Sequence, residues 1–230
     1  MHHSLPGRFA ALLLLISLSV PAFADTLVFG GTRGVGLETV RQLRESGEAV
    51  TVMVRETSDL TALSAIEGVS TTVGDALVMA DVTAAFASGT FETVITTLGG
   101  TPASYEVDSV GNIHAMDGAI AAGVERFILI SSIGTGDSRA AAPASMLKAL
   151  GMVLAGKEKA ERHLIDSGLS FTIIRPGVLL DKTANGRGVL IQDTSASGVI
   201  SRAEMARVIV AAIGDEQTFG RIYTAVEQKK

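Results

Sequence analysis

Gly30, Gly34 and Gly36, with a further glycine at position 31, close a short apolar run, Thr26-Leu-Val-Phe, and precede an amphipathic stretch, Leu37–Ser46. A strand, a glycine-rich turn and a helix in that order let backbone come close to a phosphate. The first turn of the helix then offers it N–H groups that have no partner inside the helix. The chemistry implied is capture of a phosphorylated ligand, and the strand–turn–helix context narrows it to a dinucleotide. Gly30, Thr32, Arg33, Gly34, Val35 and Gly36 are the candidate pyrophosphate contacts. A glycine-rich loop that binds nothing has the same spacing, so the weight falls on what lies downstream.

The second apolar run ends at Val54-Arg55-Glu56. An acid about 20 residues past the turn takes the ribose hydroxyls in NAD-binding versions of this arrangement. Here Arg55 comes first, and Arg33 stands inside the turn itself. Two guanidinium groups suit a 2′-phosphate, because Arg grips phosphate with two parallel N–H bonds. The expected cofactor is therefore NADP. The alternative is NAD, with Glu56 on the ribose and Arg55 a solvated strand end. Gly74-Asp75-Ala76 follows the third run, and a carboxylate there is placed to accept from the adenine amino group. After the fourth run, Thr97, Leu98 and Gly99 are small or apolar enough for backbone to lie along a cofactor.

These residues need a sheet whose strand ends converge. Strands are expected at 26–30, 49–54, 70–73, 93–97, 126–131, 170–174 and 221–226. Helices are expected at 34–46, 59–66, 78–87, 107–122, 145–167 and 202–213. Gly47, Gly123, Gly168 and Gly214 stand where glycine closes helices. Strands alternating with helices predict an α/β fold, a Rossmann-like doubly wound parallel sheet forming a single domain over residues 25–230. All the candidate residues then fall at carboxyl ends of strands. The Gly- and Ser-rich stretch from Pro176 to Gly198 reads as a long binding loop or lid.

Residues 1–24 read as a separate object. Arg8 is followed by a largely apolar run, Phe9–Val20, of about a dozen residues, too short for a comfortable membrane span. Ala22-Phe23-Ala24 then matches a signal-peptide cleavage site, which predicts an exported, periplasmic or secreted chain beginning at Asp25. The alternative is an uncleaved membrane anchor. The full chain carries a net charge of −5, which argues against nucleic acid as the main partner and leaves a small molecule. The absence of cysteine excludes disulfides and thiolate chemistry. His114 and His163 stand apart from any metal-ligand spacing and read as helix-face residues, so no metal is expected. Oligomeric state is not legible.

Several segments taken together resemble the atypical short-chain dehydrogenase/reductases, the group related to NmrA-like proteins and biliverdin/flavin reductases. They are Val28–Gly36, Gly74-Asp75, Val107–Asn112, Gly123–Gly134, Lys157–Glu161, Ser167–Gly177 and Ile200–Ala206. The resemblance spans nearly all of residues 25–230. It implies an NAD(P) site with the nicotinamide near Ser131-Ser132, Lys157, Pro176 and Val178.

Usual members pair a serine with Tyr-x-x-x-Lys. Ser132 and Lys157 match the serine and lysine, but the tyrosine position holds Val153, and the asparagine position holds Asp108. Valine donates no proton, so carbonyl reduction that relies on a tyrosine acid is not expected. Ser132 is left to hold a substrate oxygen or to cap a strand end. Lys157 binds ribose hydroxyls or takes part in catalysis, and Tyr105 is a minor candidate for the missing acid. Two functions follow: an NADPH-dependent oxidoreductase acting on flavin-type or conjugated acceptors, or a non-catalytic dinucleotide-binding sensor or scaffold. An epimerase using transient hydride transfer is a third and suffers from the same missing tyrosine.

Overall fold

A computed structural model describes residues 25–228. The first half runs β1 (Asp25–Phe29), α1 (Gly34–Glu45), β2 (Ala49–Val54), a one-turn α2 (Thr61–Ser64), β3 (Val69–Val73), α3 (Met79–Ala87), β4 (Thr93–Thr96) and α4 (Asn112–Ala122). The second half runs β5 (Arg126–Ile130), α5 (Ala144–Ala149), α6 (Gly151–Ile165), β6 (Ser170–Pro176), β7 (Val178–Leu180), β8 (Gly188–Ile191), β9 (Val199–Ser201), α7 (Arg202–Ile213) and β10 (Arg221–Glu227). Eight strands form one sheet in the order β3-β2-β1-β4-β5-β6-β10-β8, parallel except for β8 against β10. The fold is α/β and Rossmann-like, as expected. The order reverses between β1 and β4, the crevice at which such sheets bind ligands.

Both faces of the sheet are covered. Alternate residues of β1 feed opposite cores: Leu27 and Phe29 pack with Phe86, Met116, Phe127 and Leu164 beneath α3, α4 and α6. Val28 packs with Val40, Leu43, Ile128, Met205 and Ile209 beneath α1 and α7. Burial on both sides is why these strands read as unbroken apolar runs.

Four expectations need adjustment. The helix expected over 145–167 is two helices, α5 and α6, which meet at Leu150-Gly151, where the backbone of Leu150 leaves helical geometry. The helix expected over 107–122 opens as a wide π-turn, Val107–Gly111. The Asn112 side chain causes this widening: its Nδ2 donates to the carbonyls of Val107 and Asp108 at 3.2 and 3.1 Å, inside the ladder. The stretch expected as one long loop contains β7 and β8, and Glu204 of α7 fastens it. The buried Glu204 carboxylate accepts the N–H groups of Asn185, Gly186 and Gly188 at 2.7, 2.6 and 2.6 Å. Finally, Gly47, Gly123 and Gly168 follow their helices with positive φ, whereas Gly214 ends α7 at φ −97°.

Candidate functional site

The carboxyl ends of the six parallel strands from β3 to β6 share one edge of the sheet, and the expected site residues lie at or after those ends except Lys157, which reaches the edge from α6. The glycines after β1 divide by what a side chain would meet. A Cβ on Gly36 would fall 2.2 Å from the Gly30 carbonyl oxygen, and one on Gly30 (φ +83°) would fall 2.8 Å from Thr97 Oγ1. Those two glycines serve the close packing of α1 on β1 and β4, and Thr97 Oγ1 donates to the Phe29 and Gly30 carbonyls across the same contact. Gly34 (φ +57°) is different. A Cβ there would meet only the Arg202 side chain, 3.6 Å away, so the backbone at the start of α1 lies open. Gly99 is open in the same way, with only Asp108 Oδ1 and Lys157 Nζ near, both at 3.7 Å.

At its N-terminus α1 has extended Arg33 as cap, no side-chain bond to its first N–H groups and no acid in its first turn. Its first N–H groups and the partial positive charge of that helix end therefore remain available to an anion. Thr32 is half-buried and Val35 buried in the same turn. Arg33, in the turn after β1, and Arg55, just past the end of the adjacent strand β2, are both exposed, and neither guanidinium is ion-paired among the described residues. Glu56 is exposed beside them. Asp75 is held in place by its own turn: its N–H donates to Asp81 Oδ2, and its Oδ1 accepts from Leu77 N–H, both at 2.9 Å. Ala76 is buried, and its carbonyl meets His114 Nδ1 at 2.9 Å. His163 bridges to Asp117 of α4 at 2.7 Å. Both histidines thus have local partners.

Lys157 is buried and fully engaged. Its Nζ donates to the carbonyls of Leu98 (3.0 Å) and Ile130 (3.3 Å) and lies 3.1 Å from Asp108 Oδ1. An ammonium has three protons, and three acceptors surround it. Asp108 is completely buried; its Oδ2 accepts the Gly100 N–H at 2.9 Å, while Oδ1 faces the Lys157 ammonium at 3.1 Å as the other half of a buried ion pair. This pair ties the ends of β4 and β5 to the π-turn, which the sequence reading did not foresee. The Val-Asp-Ser-Val-Gly-Asn segment held the signal, since a buried Asp needs a cation and Asn112 bonds the Thr96 hydroxyl at 2.6 Å.

Ser132 is half-buried, and its hydroxyl bonds only locally, to the Ile133 carbonyl at 2.9 Å. Ser131, by contrast, is committed to a buried network. It donates to Glu161, which also receives Thr135 (2.7 Å) and two bonds from Arg175 (3.0 and 2.7 Å), and Arg175 further pairs with Asp137. Burial pulls the Arg175 pKa down, yet Glu161 and Asp137 more than offset it and leave it raised. Val153 is buried. Tyr105 precedes the π-turn, and its carbonyl packs against Gly156, one residue before Lys157. Pro176 is buried and Val178 exposed at the end of β6 and the start of β7.

The arrangement suits a dinucleotide: a loosely contacted glycine at a helix N-terminus bare of acids, two exposed arginines beside it, and a second such glycine, Gly99, beside the Asp108–Lys157 pair. Comparison with known proteins agrees. Residues 30–216 match the NAD(P)H-binding family. An uncharacterized chloroplastic protein of Arabidopsis thaliana is 31% identical over 219 residues, covering 86% of this chain and 75% of that protein. Sanguinarine reductase of Eschscholzia californica is 32% identical over 125 residues, but the match spans only 44% of its length. The structure of ChuY, an anaerobilin reductase of Escherichia coli O157:H7, superposes with a TM-score of 0.80 at 31% identity, covering 90% of this chain and 98% of that one. Among the described residues no helix is long and apolar enough to cross a membrane. The chain belongs to the NAD(P)H-binding family of Rossmann-like proteins.

Proposed function

We propose that the protein is an NADPH-dependent oxidoreductase that works without a tyrosine acid. The observation that carries the preference for NADP is the pair of exposed arginines without an ion-pair partner among the described residues, Arg33 in the glycine turn after β1 and Arg55 just past the end of the adjoining β2. On this reading the first N–H groups of α1 hold the pyrophosphate, Arg33 and Arg55 hold the 2′-phosphate, Asp75 and Ala76 line the adenine, and Thr97–Gly99 carry backbone along the cofactor. The nicotinamide, when bound, supplies a hydride.

The chain's own contribution is orientation and exclusion of water. Pro176 and Val178 wall the nicotinamide side. Ser132, with a half-buried hydroxyl, is free to turn from its local carbonyl and donate to a substrate oxygen. With valine at 153, buried, and Lys157 spent on three internal acceptors, no side chain at those two positions stands ready to protonate an alkoxide. Acceptors whose reduced form takes its proton from water fit this better than simple ketones; flavins and conjugated acceptors are of that kind. The reductase names of two relatives point the same way.

The committed state of Lys157 equally favours a second reading, a dinucleotide-binding sensor or scaffold without turnover. Two measurements on the purified chain separate them: calorimetric binding of NADPH and NADH, and loss of NADPH absorbance with flavin and quinone acceptors. Tighter NADPH binding with turnover supports the enzyme. Tight binding with no turnover on any acceptor supports the sensor, and no binding of either nucleotide overturns both.

A further inference from the structure

Arg202 opens α7, far in sequence from the glycine turn, yet its Nε lies 3.6 Å from where a Gly34 side chain would begin. Three contacts fix the start of α7 there. Gln42 Nε2 of α1 donates to the Ala203 carbonyl at 2.9 Å; Ser201 Oγ accepts the Glu204 N–H at 3.2 Å; and Ser201 N–H donates to Glu227 Oε1 at 2.9 Å. The short parallel pair β7–β9 sets Leu180 opposite Ser201, so that Asp181 falls beside Arg202, and the two form an ion pair at 2.6 Å. Asp181 is 88% exposed and Arg202 30%. An ion pair that open contributes little to stability and is readily exchanged for a better anion.

We propose that Arg202 is a further cofactor-binding residue, which leaves Asp181 and donates to the pyrophosphate held at the N-terminus of α1. The inference rests on the dinucleotide reading of the turn. Gly34 is the open glycine of that turn, the helix end there is bare of acids, and Arg202 is the side chain that covers it. A guanidinium above the turn and N–H groups below it would hold the phosphates from two sides. Asp181 holds the guanidinium in the free protein and competes with the phosphates for it. The pyrophosphate is common to NAD and NADP, so Arg202 would serve both, unlike Arg33 and Arg55.

The test is calorimetric titration of NADP+ and NAD+ into Arg202→Ala, Asp181→Ala and wild type, with thermal melts to show that each variant is folded. Arg202→Ala should weaken both nucleotides by a similar factor, roughly tenfold. Asp181→Ala should bind both at least as tightly as wild type, because a competitor has gone. If the ion pair merely holds the β7–β9 loop in shape, both variants weaken binding alike, and that result overturns the proposal. Unchanged binding by Arg202→Ala overturns it too, as does loss of NADP+ alone, which would place Arg202 on the 2′-phosphate. Failure of wild type to bind either nucleotide strikes the dinucleotide reading itself and is seen before any variant is compared.

Discussion

Replacing Lys157 with Met separates two roles that the sequence leaves together. If the side chain exists to hold ribose hydroxyls, its loss weakens the cofactor and leaves the fold alone. The geometry expects the reverse order of effects. Removing the ammonium leaves Asp108, completely buried, with one hydrogen bond, from Gly100, and leaves the carbonyls of Leu98 and Ile130 without their donor. Breaking one side of a buried ion pair costs about 3–5 kcal/mol. For a domain of this size each kcal/mol lowers the melting temperature by about 2–4 °C, so Lys157→Met should melt at least 6 °C below wild type. Urea unfolding should show the same loss at equilibrium. The double variant Asp108→Asn/Lys157→Met removes the stranded carboxylate and should recover part of the loss, a coupling of about 0.5–3 kcal/mol. NADPH affinity should fall with the stability, since Thr97–Gly99 and Ser132 lose a common anchor. A Lys157→Met protein as stable as wild type but binding NADPH tenfold more weakly would refute this reasoning and return the lysine to the ribose.

Three further outcomes are expected. Arg55→Ala should weaken NADPH by about 1–3 kcal/mol in calorimetry, the scale of a charge-assisted bond, and leave NADH unchanged; equal loss for both would remove Arg55 from the 2′-phosphate. Glu204→Gln should lower stability by about 1–3 kcal/mol, because a carboxylate serving several donors is replaced by a group that must turn an N–H toward some of them. Burial of Glu204 is outweighed by Arg207 and the N–H groups of Gly186, Gly188 and Asn185, which bring its pKa down to about 2 from 4.5. Its stabilisation is therefore complete above pH 4.5 and fades as pH falls toward 2, and acid unfolding of Glu204→Gln should lack that component. Finally, N-terminal sequencing of protein recovered from expressing cells should begin at Asp25, if residues 1–24, which lie outside the described residues, are a cleaved signal; an intact Met1 would contradict it.

The centre of the sheet was legible because burial on both faces makes β1, β2 and β5 largely apolar, and each run is punctuated by glycine or polar residues. What escaped was local. The turn at Val107–Gly111 reads as ordinary helix unless one knows that Asn112 sits buried against Thr96 and spends its amide on the ladder. The strands β7, β8 and β9 are three or four residues each, too short for alternation to register, and their positions depend on partners, β10 for one and each other for the rest. Such pairing is a property of the folded sheet. The same limit applies to Gly30, Gly34 and Gly36. Their spacing marks the turn, but that Gly36 and Gly30 answer to packing while Gly34 meets only the Arg202 side chain emerges only when Thr97, the Gly30 carbonyl and Arg202 are set against them. A substitution at Gly36 therefore meets backbone head-on, whereas one at Gly34 strains only its own left-handed backbone conformation and touches one flexible side chain.

The residues around Lys157 show how the likeness to a family and the physics of a particular chain part company. A lysine at the matching position invites the family's role, but its chemistry is decided by what its three protons face. On the resemblance, Asp108 takes the place of an asparagine; in the structure its buried carboxylate pairs with the ammonium, as a neutral amide would not. On the same resemblance Val153 holds the tyrosine position, and its burial means that Val153→Tyr would have to displace its neighbours before it could reach the edge of the sheet. The two changes are consistent with each other. Without a tyrosine to tune, an outward-facing lysine has little to do in proton transfer, and an inward-facing one fastens the ends of β4 and β5 that the cofactor would lie across. On the proposed reading, then, this site retains the platform for a dinucleotide and leaves protonation to solvent, which is why the nature of the acceptor, rather than any further side chain at the sheet edge, should decide whether turnover is seen.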